Sequence, residues 1–72
     1  MRIVLKKAVL EGMMAQYGDD VYSLAKRMEV APSTIYRILN GDRGIGNDLI
    51  VKFMKAFDLS EKEFDTLFVF SE

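Results

Sequence analysis

The sequence predicts an all-α domain built from five short helices. Half of its 72 residues are hydrophobic, 29% are charged, and apolar residues recur at intervals of three and four along most of the chain. That spacing is typical of amphipathic helices. No segment alternates apolar and polar residues over more than a few positions, so strands are not predicted. A chain of this length forms one domain, residues 1–72, with a small core.

Residues typical of helix ends delimit the first two predicted helices. The first is predicted over 2–17, because Gly18 can adopt the left-handed conformation common just after a helix. The second is predicted over about 20–28, where the side chain of Asp19 or Asp20 can accept a hydrogen bond from the first turn. Both helices are short enough to belong to a small bundle.

The third helix follows a tight turn at 30–31. Pro32 fits the first position of a helix, where its missing N–H has no cost, and Gly41 ends the helix after Asn40. The second and third helices together, residues 20–41, have the sequence shape of a helix-turn-helix, a unit that places one helix in a nucleic-acid groove.

Two further helices complete the prediction. Asn47 can cap a fourth helix over about 47–57, after a glycine-rich loop. Ser60 and Glu63 have the spacing of a capping box, which starts a fifth helix over about 60–69.

Composition excludes several function classes. The chain contains no cysteine and no histidine, so it lacks the usual zinc ligands, the thiol nucleophile and the usual general base. We therefore expect no enzyme activity, no metal and no cofactor. The longest apolar runs span only a few residues, which predicts no membrane segment and a cytoplasmic protein.

The segment SLAKRMEVAPSTIYRILNG resembles the core pattern of the Cro and lambda-repressor-like (Xre-type) helix-turn-helix family. The segments GDRG and LIVKFMKAFDLS resemble that family's fourth helix and the junction after it, so the resemblance covers about residues 5–68. It implies a compact five-helix lambda-repressor-like DNA-binding domain. It also implies a small phage or prophage regulator, either Cro-like or a modulator of repression.

The resemblance implies that the third helix is the recognition helix. The positions of Pro32, Ser33 and Arg37 would then face base edges, and Asn40 and Arg43 would lie near phosphates. The chemistry agrees, because an arginine can donate two parallel hydrogen bonds to guanine. The predicted DNA-binding residues are Pro32, Ser33, Thr34, Tyr36, Arg37, Asn40 and Arg43. We expect Arg37 to point outward while Ile35 and Ile38 pack inward.

Three departures from the family pattern predict weak DNA binding. Glu29 stands where the family often has glycine, and Ala31 has no oxygen to cap the third helix. Asp19 and Asp20 precede the second helix, where carboxylates would repel a phosphate. The net charge of −1 also differs from the basic excess usual in nucleic-acid binders.

A second set of residues suggests a protein partner. The first helix has apolar residues on more than one side, and either the fifth helix covers the surplus or a partner does. The predicted partner-binding residues are Ile3, Leu10, Met14, Asp19, Asp20, Val69 and Phe70.

Three functions are compatible with these patterns. The first is a transcription regulator that binds a two-fold DNA operator as a homodimer. The second is a modulator or antirepressor, an acidic protein that binds a cognate repressor and alters its DNA binding. The third is the antitoxin of a toxin–antitoxin pair.

Overall fold

The computed structural model of the chain describes residues 2–41 and 45–71. This part contains five α-helices, one short 3-10 helix and one antiparallel pair of strands. In chain order they are β1 (Arg2–Leu5), α1 (Lys7–Tyr17), α2 (Val21–Met28), α3 (Pro32–Asn40), α4 (Asn47–Ala56), the 3-10 helix (Glu61–Glu63), α5 (Phe64–Leu67) and β2 (Phe68–Ser71). The predicted five-helix fold, with a helix-turn-helix at α2 and α3, is confirmed.

The two ends of the chain differ from the prediction. Residues 2–5 are not helical but form β1, which pairs with β2, so the predicted helices 2–17 and 60–69 are too long at their outer ends. Ile3 lies opposite Phe70, and the amide of Lys6 donates to the carbonyl of Leu67 at 2.7 Å. β-Branched and aromatic residues favour extended backbone when a partner strand is available. That partner lies at the far end of the sequence, where local periodicity does not reveal it.

The core lies between the helices and the inner face of this sheet. Leu10 and Met14 of α1 are buried in it, so their predicted role at a partner surface is wrong. α1 contacts α5, and the surplus apolar side of α1 is covered by the chain itself at these two positions. The buried side chains are Leu5, Leu10, Met14, Leu24, Ala25, Met28, Ile35, Ile50, Phe53, Phe57, Leu67 and Phe68.

Three helices end in the same turn. The residue just past α1 is Gly18 (φ 71°), while the equivalent turns after α2 and α4 contain Glu29 (φ 59°) and Asp58 (φ 54°). In each, the amides of the left-handed residue and its successor donate to carbonyls in the last turn of the helix, at 2.8–3.2 Å. This is the Schellman motif, whose left-handed position favours glycine. Glu29 therefore holds an unfavourable conformation at the turn of the helix-turn-helix.

Arg27 joins three helices at one end of the domain. Its guanidinium donates to the carboxylate of Asp19 and to the carbonyl of Ala56, which ends α4. It also lies over the rings of Tyr17 and Phe57, 5.0 and 5.3 Å from their centroids. The Asp19 side chain is only 8% exposed, so this carboxylate is committed to an interaction within the chain.

We predict that Glu29→Gly stabilises the fold. A non-glycine residue in the left-handed conformation costs about 1–2 kcal/mol, and the greater freedom of glycine in the unfolded chain offsets part of that cost. Chemical denaturation should show a free energy of unfolding higher by about 1 kcal/mol.

The matched control is Glu29→Ala, which removes the charge but keeps the Cβ atom. Its stability should stay within about 0.5 kcal/mol of the parent. Asp58→Gly should gain less than Glu29→Gly, because aspartate tolerates the left-handed region better than glutamate. Equal stability of the glycine and alanine variants at position 29 would contradict the proposed strain.

We predict that Arg27 and Asp19 are energetically coupled. Arg27→Met keeps much of the aliphatic stem but leaves a nearly buried carboxylate without its cation, with only the Ser23 hydroxyl still donating to it, which should lower stability by about 1–3 kcal/mol. Asp19→Asn should cost about 1 kcal/mol less in the Arg27→Met background than in the parent chain. The measurement is a double-mutant cycle by chemical denaturation, and strictly additive losses would show that the pair does not interact.

Candidate nucleic-acid interface

α3 has one face in the core and one face in solvent. Ile35 is fully buried, and Ile38 is half-buried. The exposed residues follow the i, i+3, i+4, i+7 spacing of one helix face: Ser33, Tyr36, Arg37 and Asn40. The predicted orientation of this helix is therefore confirmed. Arg43, the remaining predicted cation, lies outside the described residues.

The first turn of α3 has no side-chain cap. Ala31 precedes Pro32 at the N-cap position and provides no hydrogen-bond acceptor beyond its backbone, which accepts from the amide of Thr34 at 2.9 Å. Ser33 is exposed and Thr34 is half-buried. A hydroxyl at this end and the positive end of the helix dipole are both suited to an anionic group such as phosphate.

The first turn of α2 is already occupied by the chain's own carboxylate. The Asp20 side chain accepts from the amide of Ser23 at 2.8 Å, and the Asp20 amide donates back to the Ser23 hydroxyl at 3.0 Å. The amide of Ser23 lowers the pKa of Asp20 below its ordinary value, so the carboxylate is charged at neutral pH. A phosphate cannot use these amides without displacing Asp20. Asp20 thus acts as a helix cap, a role that the sequence predicts.

Two tyrosines lie side by side across the helix-turn-helix. Tyr22 on α2 is 64% exposed and Tyr36 on α3 is 43% exposed. Their ring centroids are 6.4 Å apart, with an angle of 76° between the ring planes. Partial desolvation, together with Tyr22 and the charge of Asp20, raises the pKa of Tyr36, so its hydroxyl remains a neutral donor. The sequence analysis does not include Tyr22 in the predicted site. The apolar spacing of α2 does place Tyr22 on its solvent side, and this signal could have identified it.

The residues predicted for a protein partner do not form one surface. Asp19 is held by Arg27, while Leu10 and Met14 are in the core. Val69 and Phe70 are exposed on β2, and Ile3 is half-buried on β1 opposite Phe70. Within the described residues, β2 has no strand on its outer side. Ile3, Val69 and Phe70 lie together at this edge of the domain, and Asp20 is exposed apart from them as the cap of α2.

A cleft of about 460 Å³ lies away from these residues, where the C-terminal ends of α2 and α4 converge. Its lining includes Arg27, Glu29, Lys52 and Lys55. The partial negative charge of helix C-termini opposes an anion there despite the cations.

Residues 2–41 and 45–71 contain no cluster of three or more aspartate or glutamate residues that could hold a metal ion. None of their helices has both the length and the apolar character needed to cross a membrane.

Comparison with known proteins agrees with this geometry. A helix-turn-helix family model matches residues 5–64, which include α1 to α4 and the start of α5. No match was found among curated proteins or among solved structures. The matched residues cover most of the chain and include both helices of the motif described above. The chain therefore belongs to the Xre, lambda-repressor-like helix-turn-helix family of DNA-binding transcription regulators.

Proposed function

We propose that this protein is a phage or prophage regulator that binds operator DNA by placing α3 in the major groove. The observation that carries the proposal is the two-faced character of α3. Arg37 lies on its solvent side, with Ser33, Tyr36 and Asn40, while Ile35 is fixed in the core. A rigidly anchored helix of this kind can present a guanidinium to a guanine edge.

The distribution of cations supports a specific contact more than general attraction to DNA. The net charge is −1, and Arg27 is already paired with Asp19. Within α3, Arg37 is the single charged residue. Since phosphate contacts by cations supply most of the non-specific affinity, this domain should bind non-specific DNA weakly. Its function then depends on the base contacts of α3.

Two copies are needed to read a two-fold operator, and we propose that β2 joins them. Val69 and Phe70 are exposed on a strand whose outer side has no partner in the described residues. Two such edges can pair about a two-fold axis, as the symmetry of a homodimer requires. The half-sites would lie about 34 Å apart, one helical turn of DNA. We place this action in the cytoplasm.

Binding to a cognate repressor is the second candidate function. Its support is the exposed pair Val69 and Phe70 together with the acidic C-terminal segment, in which residues 58–72 contain five acidic residues and one lysine. Leu10 and Met14 give it no support because they are buried. An antitoxin would use the same exposed strand, and no separate observation favours that function.

We predict that Arg37→Ala abolishes sequence preference at one base pair. The loss of a guanidinium that donates to guanine should weaken specific binding by about 1–3 kcal/mol while leaving the fold intact. The measurement is fluorescence anisotropy at low salt, with a duplex selected by the full chain from a randomised DNA library.

The charge-matched control for this experiment is Lys62→Ala, which removes one cation from the acidic C-terminal segment. It should change affinity much less than Arg37→Ala. Equal losses of DNA affinity for the two variants would indicate that charge alone attracts the DNA. Unchanged affinity for both variants would show that Arg37 does not contact the DNA.

We predict that Phe70→Ser separates the homodimer. A polar side chain at an exposed interface position should favour the monomer, since apolar contact supplies much of the association energy. Sedimentation equilibrium should show a dimer for the parent chain and a monomer for the variant. Thermal melting should show that the variant is still folded, although it loses the contact between the Phe70 and Phe64 rings. A parent chain that remains monomeric in the presence of its selected duplex would contradict assembly through β2.

A further inference from the structure

We propose that Tyr22 and Tyr36 form a paired DNA-reading element beside Arg37. In this arrangement the Tyr36 ring contacts the 5-methyl group of a thymine in the major groove, and the Tyr22 hydroxyl donates to a phosphate of the flanking backbone. The inference rests on the proposed function, because it names further residues and a base preference for the same surface.

The position of Tyr36 places its ring at the base edges. It is adjacent to Arg37 and one helical turn from both Ser33 and Asn40, on the exposed face of α3. A ring on that face enters the groove together with the guanidinium. In the major groove only thymine has a methyl group, and apolar side chains distinguish thymine through it.

The two rings also support each other. They meet edge to face, with centroids 6.4 Å apart, and this is a favourable arrangement for aromatic pairs. Tyrosine has few rotatable bonds, so a ring held by a neighbour loses little entropy when a ligand covers it. The pair is therefore already arranged for contact before DNA arrives.

The third tyrosine of the chain has different surroundings from this pair. Tyr17 is also exposed, at 51%, but its ring packs edge to face against Phe57 and under Arg27. Its hydroxyl donates to the carbonyl of Phe57 at 3.3 Å. Tyr22 and Tyr36 have no such hydrogen bond to the core among the described residues, and the aromatic contact found for each is with the other.

The electrostatics of α2 favour a neutral donor at this place. Asp20 occupies the first amides of α2 and brings a negative charge next to the pair. That charge opposes a phosphate at the helix end itself. A tyrosine hydroxyl outside the cap can still donate to a phosphate oxygen, as such side chains commonly do. On the α2 side of the surface, the DNA backbone is therefore contacted by the Tyr22 hydroxyl and not by the N-terminal end of the helix.

The test uses the duplex selected from a randomised library, with each thymine in turn replaced by deoxyuridine, which lacks only the methyl group. One replacement should weaken binding of the parent chain about fourfold, the effect of one buried methyl-sized group. The same replacement should have no effect on Tyr36→Ser. This loss of discrimination is a readout that a purely structural role for Tyr36 would not produce.

Tyr22→Phe tests the hydroxyl while keeping the ring. Affinity should fall about two- to tenfold on every duplex, as expected for one hydrogen bond. The slope of affinity against salt should not change, because no charge is lost. The matched control is Tyr17→Phe, which removes a tyrosine hydroxyl from another part of the surface and should leave DNA affinity unchanged. Thermal melting of each variant establishes that it is folded.

The outcomes separate this inference from the proposed function. If Arg37→Ala weakens binding while Tyr22→Phe and Tyr36→Ser bind like the parent, α3 reads DNA and the tyrosine element is wrong. Equal effects of deoxyuridine on the parent and on Tyr36→Ser would also overturn it. If selection enriches no sequence and no α3 variant changes binding, the DNA function and the tyrosine element both fail.

Discussion

The packing of one side of α3 against α2 and the core is the constraint on which the rest of the structure depends. Ile35 has no exposed surface, and Leu24, Ala25 and Met28 of α2 are buried with it in the same core. The turn between the helices holds a glutamate in a left-handed conformation that glycine would adopt more easily. Burial of the apolar face outweighs that local cost. A helix that is fixed in this way loses little freedom on meeting a ligand, and affinity benefits from such preorganisation.

Local signals predict the helices but not the pairing of the chain ends. Periodicity, caps and glycine positions act within a few residues, so they correctly place α2, α3 and α4. The contact between β1 and β2 joins residues 2–5 with 68–71, and either segment alone is compatible with a helix. The sequence does not predict the burial of Leu10 and Met14 for the same reason, because that burial depends on where distant parts of the chain lie over α1.

The sequence predicts the part of the candidate site that lies on α3, because the spacing within a single helix determines it. The spacing of α3 alone places Arg37 in solvent and Ile35 in the core, and the structure agrees. Two features depend on contacts between elements, so the sequence does not predict them. Tyr22 becomes part of the surface because α2 brings it against Tyr36, and Asp19 becomes unavailable because Arg27 reaches it from the far end of α2.

An NMR titration of the isotopically labelled chain with its selected duplex tests the central claim most directly. The account predicts that amide and side-chain signals of the exposed face of α3 shift in a saturable way, centred on Tyr36, Arg37 and Asn40. Signals of Val69 and Phe70 should not respond to DNA beyond any change caused by dimer formation, which dilution of the free chain measures separately. Shifts confined to β2, or an α3 face that does not respond at saturating duplex, would contradict the account.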